Sequence, residues 1–249
     1  IRDRAHALLD AARSGLELTH APKDAPIGFA GYSQGGGASL SAAEYAERYA
    51  PDLNVAGTYA GAPPTDLPET MRSIDGSAIA HVLGYAINGF SERSPEFRDA
   101  VLAELNPRGI DFLRSAATSC TGDSVLMWGF TNTRMLTRTG ESLSEIVERK
   151  PVVKETLERQ NLGKAVPNAP VMMASSPSDD LISHDQVRRT AGAYCSMGGT
   201  IDFVAAPGTA TIPRTGIDHA VPLYLEMPVG LQYLFDRFEG KPAPTNCTA

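Results

Sequence analysis

Apolar positions near the start of the chain recur with helical spacing. Ala5, Leu8, Leu9 and Ala12 fall on one face of the segment Arg2 to Ser14, which predicts an amphipathic helix stopped by Gly15. After a polar loop, the mostly apolar run from Ile27 to Tyr32 reads as a buried strand of a parallel sheet. Three glycines and small, helix-favouring residues follow from Ala38 to Tyr49. Pro51 ends that helix, and Asn54 to Ala62 forms the next strand. This alternation lapses between residues 68 and 167, where helical patterns span Pro95 to Ala117 and Leu143 to Asn161. It resumes with a strand at Pro170 to Ser175, a helix at His184 to Met197 and a strand at Thr200 to Ala205. A last helix runs from Pro222 to Phe238, with Tyr224, Met227, Leu231, Leu234, Phe235 and Phe238 expected to face inward and Pro228 expected to split it. The tail, Gly240 to Ala249, reads as coil. The fold class is therefore α/β, a doubly wound, mostly parallel sheet interrupted by a helical insertion. The expected domains are a core of residues 1–67 and 168–249 and an insertion of residues 68–167.

Composition narrows the function classes. With 249 residues, 42% of them hydrophobic, the chain can bury a sizeable core. A net charge of −7 with no Lys/Arg stripe argues against nucleic acid as a partner. No apolar run reaches the length of a membrane span. The three cysteines, Cys120, Cys195 and Cys247, are an odd number, which in a secreted protein suggests one internal bridge and one partner elsewhere.

The chemistry enters at Ser33. Gly31-Tyr32-Ser33-Gln34-Gly35 matches Gly-x-Ser-x-Gly, the nucleophile elbow, and lies where a strand turns into a helix. There the serine is held in a strained conformation that lifts its hydroxyl clear of the sheet. Glycine is expected at positions 31 and 35 because side chains there would collide with neighbouring elements. The backbone N–H of Gln34 becomes one oxyanion donor. A phosphate loop is disfavoured, since no Lys-Ser/Thr pair follows the glycines.

A serine hydroxyl needs a base, and on such an elbow the chain order is serine, acid, histidine. His6 and His20 precede Ser33. His81 lies in the insertion and reads as a packed or lid histidine, and His184 reads as a surface or capping residue. His219 lies between the last strand and the last helix, the expected place of the base. The acid should follow the penultimate strand, where Asp179 and Asp180 are neighbours that pattern alone does not separate. Asp66 is an outside candidate, and Asp218 is poorly placed because adjacent residues seldom face each other.

On these motifs the chain resembles the secretory lipase family of α/β-hydrolases. The likeness runs through Ala7-Leu8-Leu9-Asp10-Ala11-Ala12-Arg13, the elbow with Gly36, Tyr49-Ala50-Pro51-Asp52-Leu53-Asn54-Val55-Ala56-Gly57, Ser178-Asp179-Asp180-Leu181-Ile182 and Asp218-His219. It implies that Asp179 is the acid, with Asp180 in the place of a family glutamate. Ser183 stands where the family has proline and Ser175 where it has histidine. The resemblance implies that the insertion is a helical cap, with Ser77 to Phe90 either lining an acyl tunnel or forming a buried core helix. It also implies a disulfide between Cys195 and Cys247.

The same resemblance implies a further N-terminal segment of the protein, with strands beside Ile27 to Tyr32, the second oxyanion donor and a half-cystine for Cys120. That segment, on the same chain or a separate one, is an expected partner. The activity implied is that of a secreted serine carboxylic-ester hydrolase, a lipase cleaving medium- or long-chain acyl esters such as triacylglycerols, with no metal or organic cofactor. The alternatives are a broad carboxylesterase or acyltransferase with the same triad, and an inactive binding module on the same fold.

Overall fold

A computed structural model describes residues 2–209 and 211–247; the expected coil at residues 248 and 249 lies outside them. Two compact units are present. The first comprises Ile1–Thr65, Asn161–Thr209 and His219–Ala249, and the second Asp66–Gln160 and Ala210–Asp218.

The first unit is an open α/β sheet. Helix α1 (Arg2–Leu18) leads into β1 (Ile27–Tyr32), α2 (Gln34–Tyr49) and β2 (Val55–Gly61). The order β1-β2-β3-β4 is completed by β3 (Val171–Ser175) and β4 (Ile201–Ala205), and every adjacent pair is parallel. Parallel neighbours require crossovers. Here α2 joins β1 to β2, and a helix from His184 to Ser196 joins β3 to β4. Leu9, Phe29, Ala42, Ala46 and Leu53 pack together where α1 and α2 cover one sheet face. On the other face Tyr59, Met172 and Ala174 pack with Tyr233 and Leu234 of the last helix.

The second unit is helical. It contains α3 (Leu67–Ile74), α4 (Val82–Arg93), α5 (Pro95–Leu102), α6 (Pro107–Ala116), α7 (Thr121–Trp128), a 3-10 turn at Thr133–Leu136, α8 (Leu143–Arg149) and α9 (Pro151–Glu158). Leu83, Ile87, Phe97, Phe112, Leu136 and Ile146 centre its own core. The segment Ser77 to Phe90 thus contributes core side chains to this unit, with Ser77, Ala80 and His81 wholly buried. The remaining helices, α10 (His184–Ser196) and α11 (Ile217–Phe238), follow in the chain.

Several boundaries differ from the sequence reading, each for a local reason. Helix α1 continues through Gly15 to Leu18, because a glycine on an open surface weakens a helix without ending it. The stop is His20, at φ 54°, where its N–H bonds the Glu17 carbonyl and the Ala21 N–H reaches back to that of Leu16. The two long cap patterns each divide in two, at Pro107 and Pro151, since proline is favourable as the first residue of a new helix.

Helix α11 starts at Ile217 rather than Pro222 and is not split by Pro228. Its inward face is also not the expected one. Tyr224 is 77% exposed, Phe235 56% and Leu231 41%; Phe238 is partly exposed, while Leu234 is buried and Met227 packs on its cluster. The buried stripe is instead His219, Pro222, Glu226, Gly230, Tyr233 and Arg237. Gly230 is what lets the helix lie this low, because a Cβ there would overlap the ring of Tyr59.

Candidate active site

Ser33 sits between β1 and α2 at φ 54° and ψ −121°, a conformation that costs an ordinary residue energy and that the surrounding structure enforces. Its N–H donates to the Gly61 carbonyl on β2, tying the elbow to the neighbouring strand. A Cβ at Gly31 would overlap the Gly35 carbonyl, so that glycine is required. The expectation for Gly35 is corrected: a Cβ there meets nothing. The crowded position is Gly36, whose Cβ would press on the Gly61 carbonyl. Gln34 opens α2, so its N–H is among the donors that have no acceptor inside the helix.

The three candidate catalytic side chains meet. His219 Nε2 lies 2.8 Å from Ser33 Oγ, and His219 Nδ1 lies 2.8 Å from Asp179 Oδ2. The Asp179 side chain is fully buried, and its other oxygen accepts the N–H groups of Leu181 (2.9 Å) and Ile182 (2.8 Å). With all its contacts oriented, Asp179 holds the proton on Nδ1 and leaves Nε2 to accept from the serine. Asp180 has a separate task, accepting the backbone N–H of His219 at 3.1 Å. The pair of carboxylates that pattern could not separate is therefore divided by geometry: one on the ring, one on the backbone.

A residue not singled out for this purpose completes the hold on His219. Tyr32, the variable residue before the serine, donates its hydroxyl to the His219 carbonyl at 2.7 Å. Burial, and then the charges of Asp179 and Glu226, push the phenol far above its usual range, so it remains a donor. The elbow thus fixes both Ser33 and the backbone of His219.

The other sequence candidates lie elsewhere. Asp66 caps α3, accepting the Glu69 N–H at 2.9 Å. Asp218 accepts the Thr211 N–H. His184 opens α10, with Nδ1 3.1 Å from the Ser175 carbonyl oxygen. His81 is fully buried between Ser124 Oγ and the Phe112 carbonyl. His6 stacks on Tyr49, and His20 ends α1. Among the described residues no group of three or more His, Cys, Asp or Glu side chains is placed to hold a metal ion, and no helix is long and apolar enough to cross a membrane.

The disulfide between Cys195 and Cys247 is formed, with Cα atoms 5.3 Å apart. Cys120 is an exposed free thiol. The bridge pins the tail along β4. There Asn246 donates its N–H to Ile201, and its side-chain amide both accepts from and donates to the Phe203 backbone at 2.9 and 2.7 Å. One asparagine side chain so stands in for a strand at that edge.

Comparison with known proteins gives the family and the fold. The secretory lipase family model matches residues 1–246. A probable inactive lipase of Mycobacterium tuberculosis is 31% identical over 97% of this chain and 51% of its own length. A secreted triacylglycerol lipase of Malassezia globosa is 29% identical over 97% of this chain and 50% of its own. Among solved structures, Candida antarctica lipase A superposes with a TM-score of 0.84 at 20% identity, covering 99% of this chain and 56% of that one. A rice cell wall degrading esterase of Xanthomonas oryzae superposes with a TM-score of 0.73 at 17% identity, covering 91% and 63%. These likenesses give the fold as that of an α/β-hydrolase. The chain spans about half the length of the curated relatives it matches. With its family model matched almost from end to end, the chain belongs to the secretory lipase family.

Proposed function

We propose that this chain carries the catalytic groups of a secreted serine hydrolase that cleaves carboxylic esters, with acylglycerols of medium or long chain as its substrate class. The observation that carries the reading is the unbroken relay from Asp179 through His219 to Ser33, each link 2.8 Å. Ser33 Oγ attacks the ester carbonyl carbon as His219 Nε2 takes its proton. The Gln34 N–H stabilises the oxyanion. His219 returns the proton to the leaving alcohol, and a water activated by the same nitrogen releases the acid from the acyl-enzyme. The residues present supply nucleophile, base and orienting acid, so the scheme calls on no cofactor.

The second oxyanion donor is assigned to a further N-terminal segment of the protein, as a continuous or separate chain. Two observations support that partner: the relatives are about twice as long, and β1 is an edge strand among the described residues. Cys120, exposed and free, is available for a bond to it.

An inert module on the same fold is the competing reading, and the relative described as probably inactive is the observation that favours it. Hydrolysis of triacylglycerol emulsions and of short-chain esters by the full-length protein separates the two. Fatty acid release abolished by Ser33→Ala is the expected result. Release no greater from the unmutated protein than from Ser33→Ala, on both substrates, would overturn the enzyme reading.

A further inference from the structure

A carboxyl group with no role in the relay lies on the same helix as His219. Glu226 is 4% exposed, and its Oε1 has no hydrogen-bond partner among the described residues. Its other oxygen has one long contact, 3.5 Å from the Tyr59 hydroxyl. A buried carboxyl so poorly partnered is costly, and such groups cluster where their charge is used.

Its place on α11 is also informative. Residue 226 follows His219 by seven positions, two helical turns, so both project from one face. Helical side chains lean toward the N-terminus, which directs the carboxyl back toward the imidazole. Tyr59, its partner, is wedged under Gly230 on the same helix face.

We infer that Glu226 is a second carboxylate of the site, whose own protonation sets how strongly His219 attracts the proton of Ser33. The inference rests on the triad reading above. The titratable groups around Glu226 are Tyr59 on β2, Tyr32 at the end of β1, Asp179 after β3 and His219 on α11 itself. Burial pushes the Glu226 carboxyl up to about 7, the Tyr59 hydroxyl pulls against it, the charge of Asp179 raises it and His219 lowers it. Below that pH Glu226 is neutral, and Asp179 alone faces the imidazolium that forms when Ser33 loses its proton. Above it a second negative charge stabilises the same cation. No proton passes to Glu226 in the reaction; its effect is electrostatic. The two titrations must then be coupled. Glu226 ionises more readily when His219 is charged.

Ring-labelled histidine NMR tests this without depending on turnover. The His219 signal is assigned by its loss in His219→Asn and followed from pH 4 to 9. The expected wild-type curve has two inflections, one of them from Glu226. In Glu226→Gln a single inflection remains, and the His219 midpoint moves to lower pH by about half a unit or more. Superposable His219 curves for the two proteins would overturn the inference.

Should Glu226→Gln not fold, Tyr59→Phe keeps the carboxyl and removes its partner. The Glu226 inflection should then move to higher pH, and an unmoved inflection would overturn the inference equally. In the rates, the kcat deficit of Glu226→Gln should be roughly 3–10-fold larger at pH 9 than at pH 5, with KM unchanged. A purely structural role would give a deficit independent of pH. Failure of the triad reading has a different signature, the absence of any Ser33-dependent hydrolysis.

Discussion

Ser33 and His219 are held by opposite kinds of constraint. The serine is strained, at positive φ, and the strain is enforced by the Gly61 carbonyl on one side and crowding around Gly31 and Gly36 on the other. The histidine is instead satisfied at every polar atom: Nδ1 by Asp179, Nε2 by Ser33, N–H by Asp180 and carbonyl by Tyr32. Asp179→Asn removes the group that fixes the Nδ1 proton while keeping the shape. It should lower kcat by on the order of 10⁴ with little change in thermal stability, measured on any ester the protein hydrolyses.

Glu226 makes a prediction about stability at the same scale. Its carboxyl titrates near 4.5 in the unfolded chain and near 7 in the folded one. Between these values folding takes up a proton, so the stability this group confers is complete below about pH 4.5 and is lost as pH rises through 7. Urea denaturation at pH 4.5, 6 and 8 should show the unmutated protein losing stability relative to Glu226→Gln across that window. Parallel profiles would contradict it.

At the scale of the element, the strands and the elbow were legible because their signals are local. A short apolar run, an abrupt glycine cluster and a Pro-bounded helix need no knowledge of what packs on them. Chain order points to His219 after β4 and to the neighbours Asp179 and Asp180 after β3, and the family resemblance chooses Asp179 between them; His219 itself lies in the first turn of α11. Helix α11 was not legible in the same way. Its buried stripe contains His219, Pro222, Glu226, Gly230 and Arg237, residues that a hydrophobic pattern assigns to solvent, while its aromatic residues Tyr224 and Phe235 are exposed. The helix packs by a glycine laid on the Tyr59 ring, with Tyr233 and Leu234 beside it. Gly230→Val should therefore destabilise the protein by about 1–3 kcal/mol through overpacking, read by denaturant titration. The end of α1 was missed for the converse reason: Gly15 looks like a stop, but the αL residue is His20. Gly15→Ala fills open space inside a helix and should stabilise by about 0.5–1 kcal/mol.

For the whole molecule, the four-stranded sheet is closed at β4 by the tail and continued at β1, on the proposed reading, by a further segment of the protein. The Cys195–Cys247 bridge spans 52 residues of chain. Replacing both cysteines by serine should cost about 4 kcal/mol in the chain-entropy picture, measured by denaturant titration. It should also free the Asn246 contacts along β4, which hydrogen exchange at Ile201 and Phe203 would report. The central claim remains that Ser33 is a nucleophile activated by His219. The direct measurement is mass spectrometry of the full-length protein after exposure to a fluorophosphonate, with His219→Ala alongside. One phosphonyl adduct on the Ser33 peptide, formed rapidly in the unmutated protein and at least a hundred-fold more slowly in the variant, is the predicted result. No adduct on Ser33, or the same rate without His219, would contradict it.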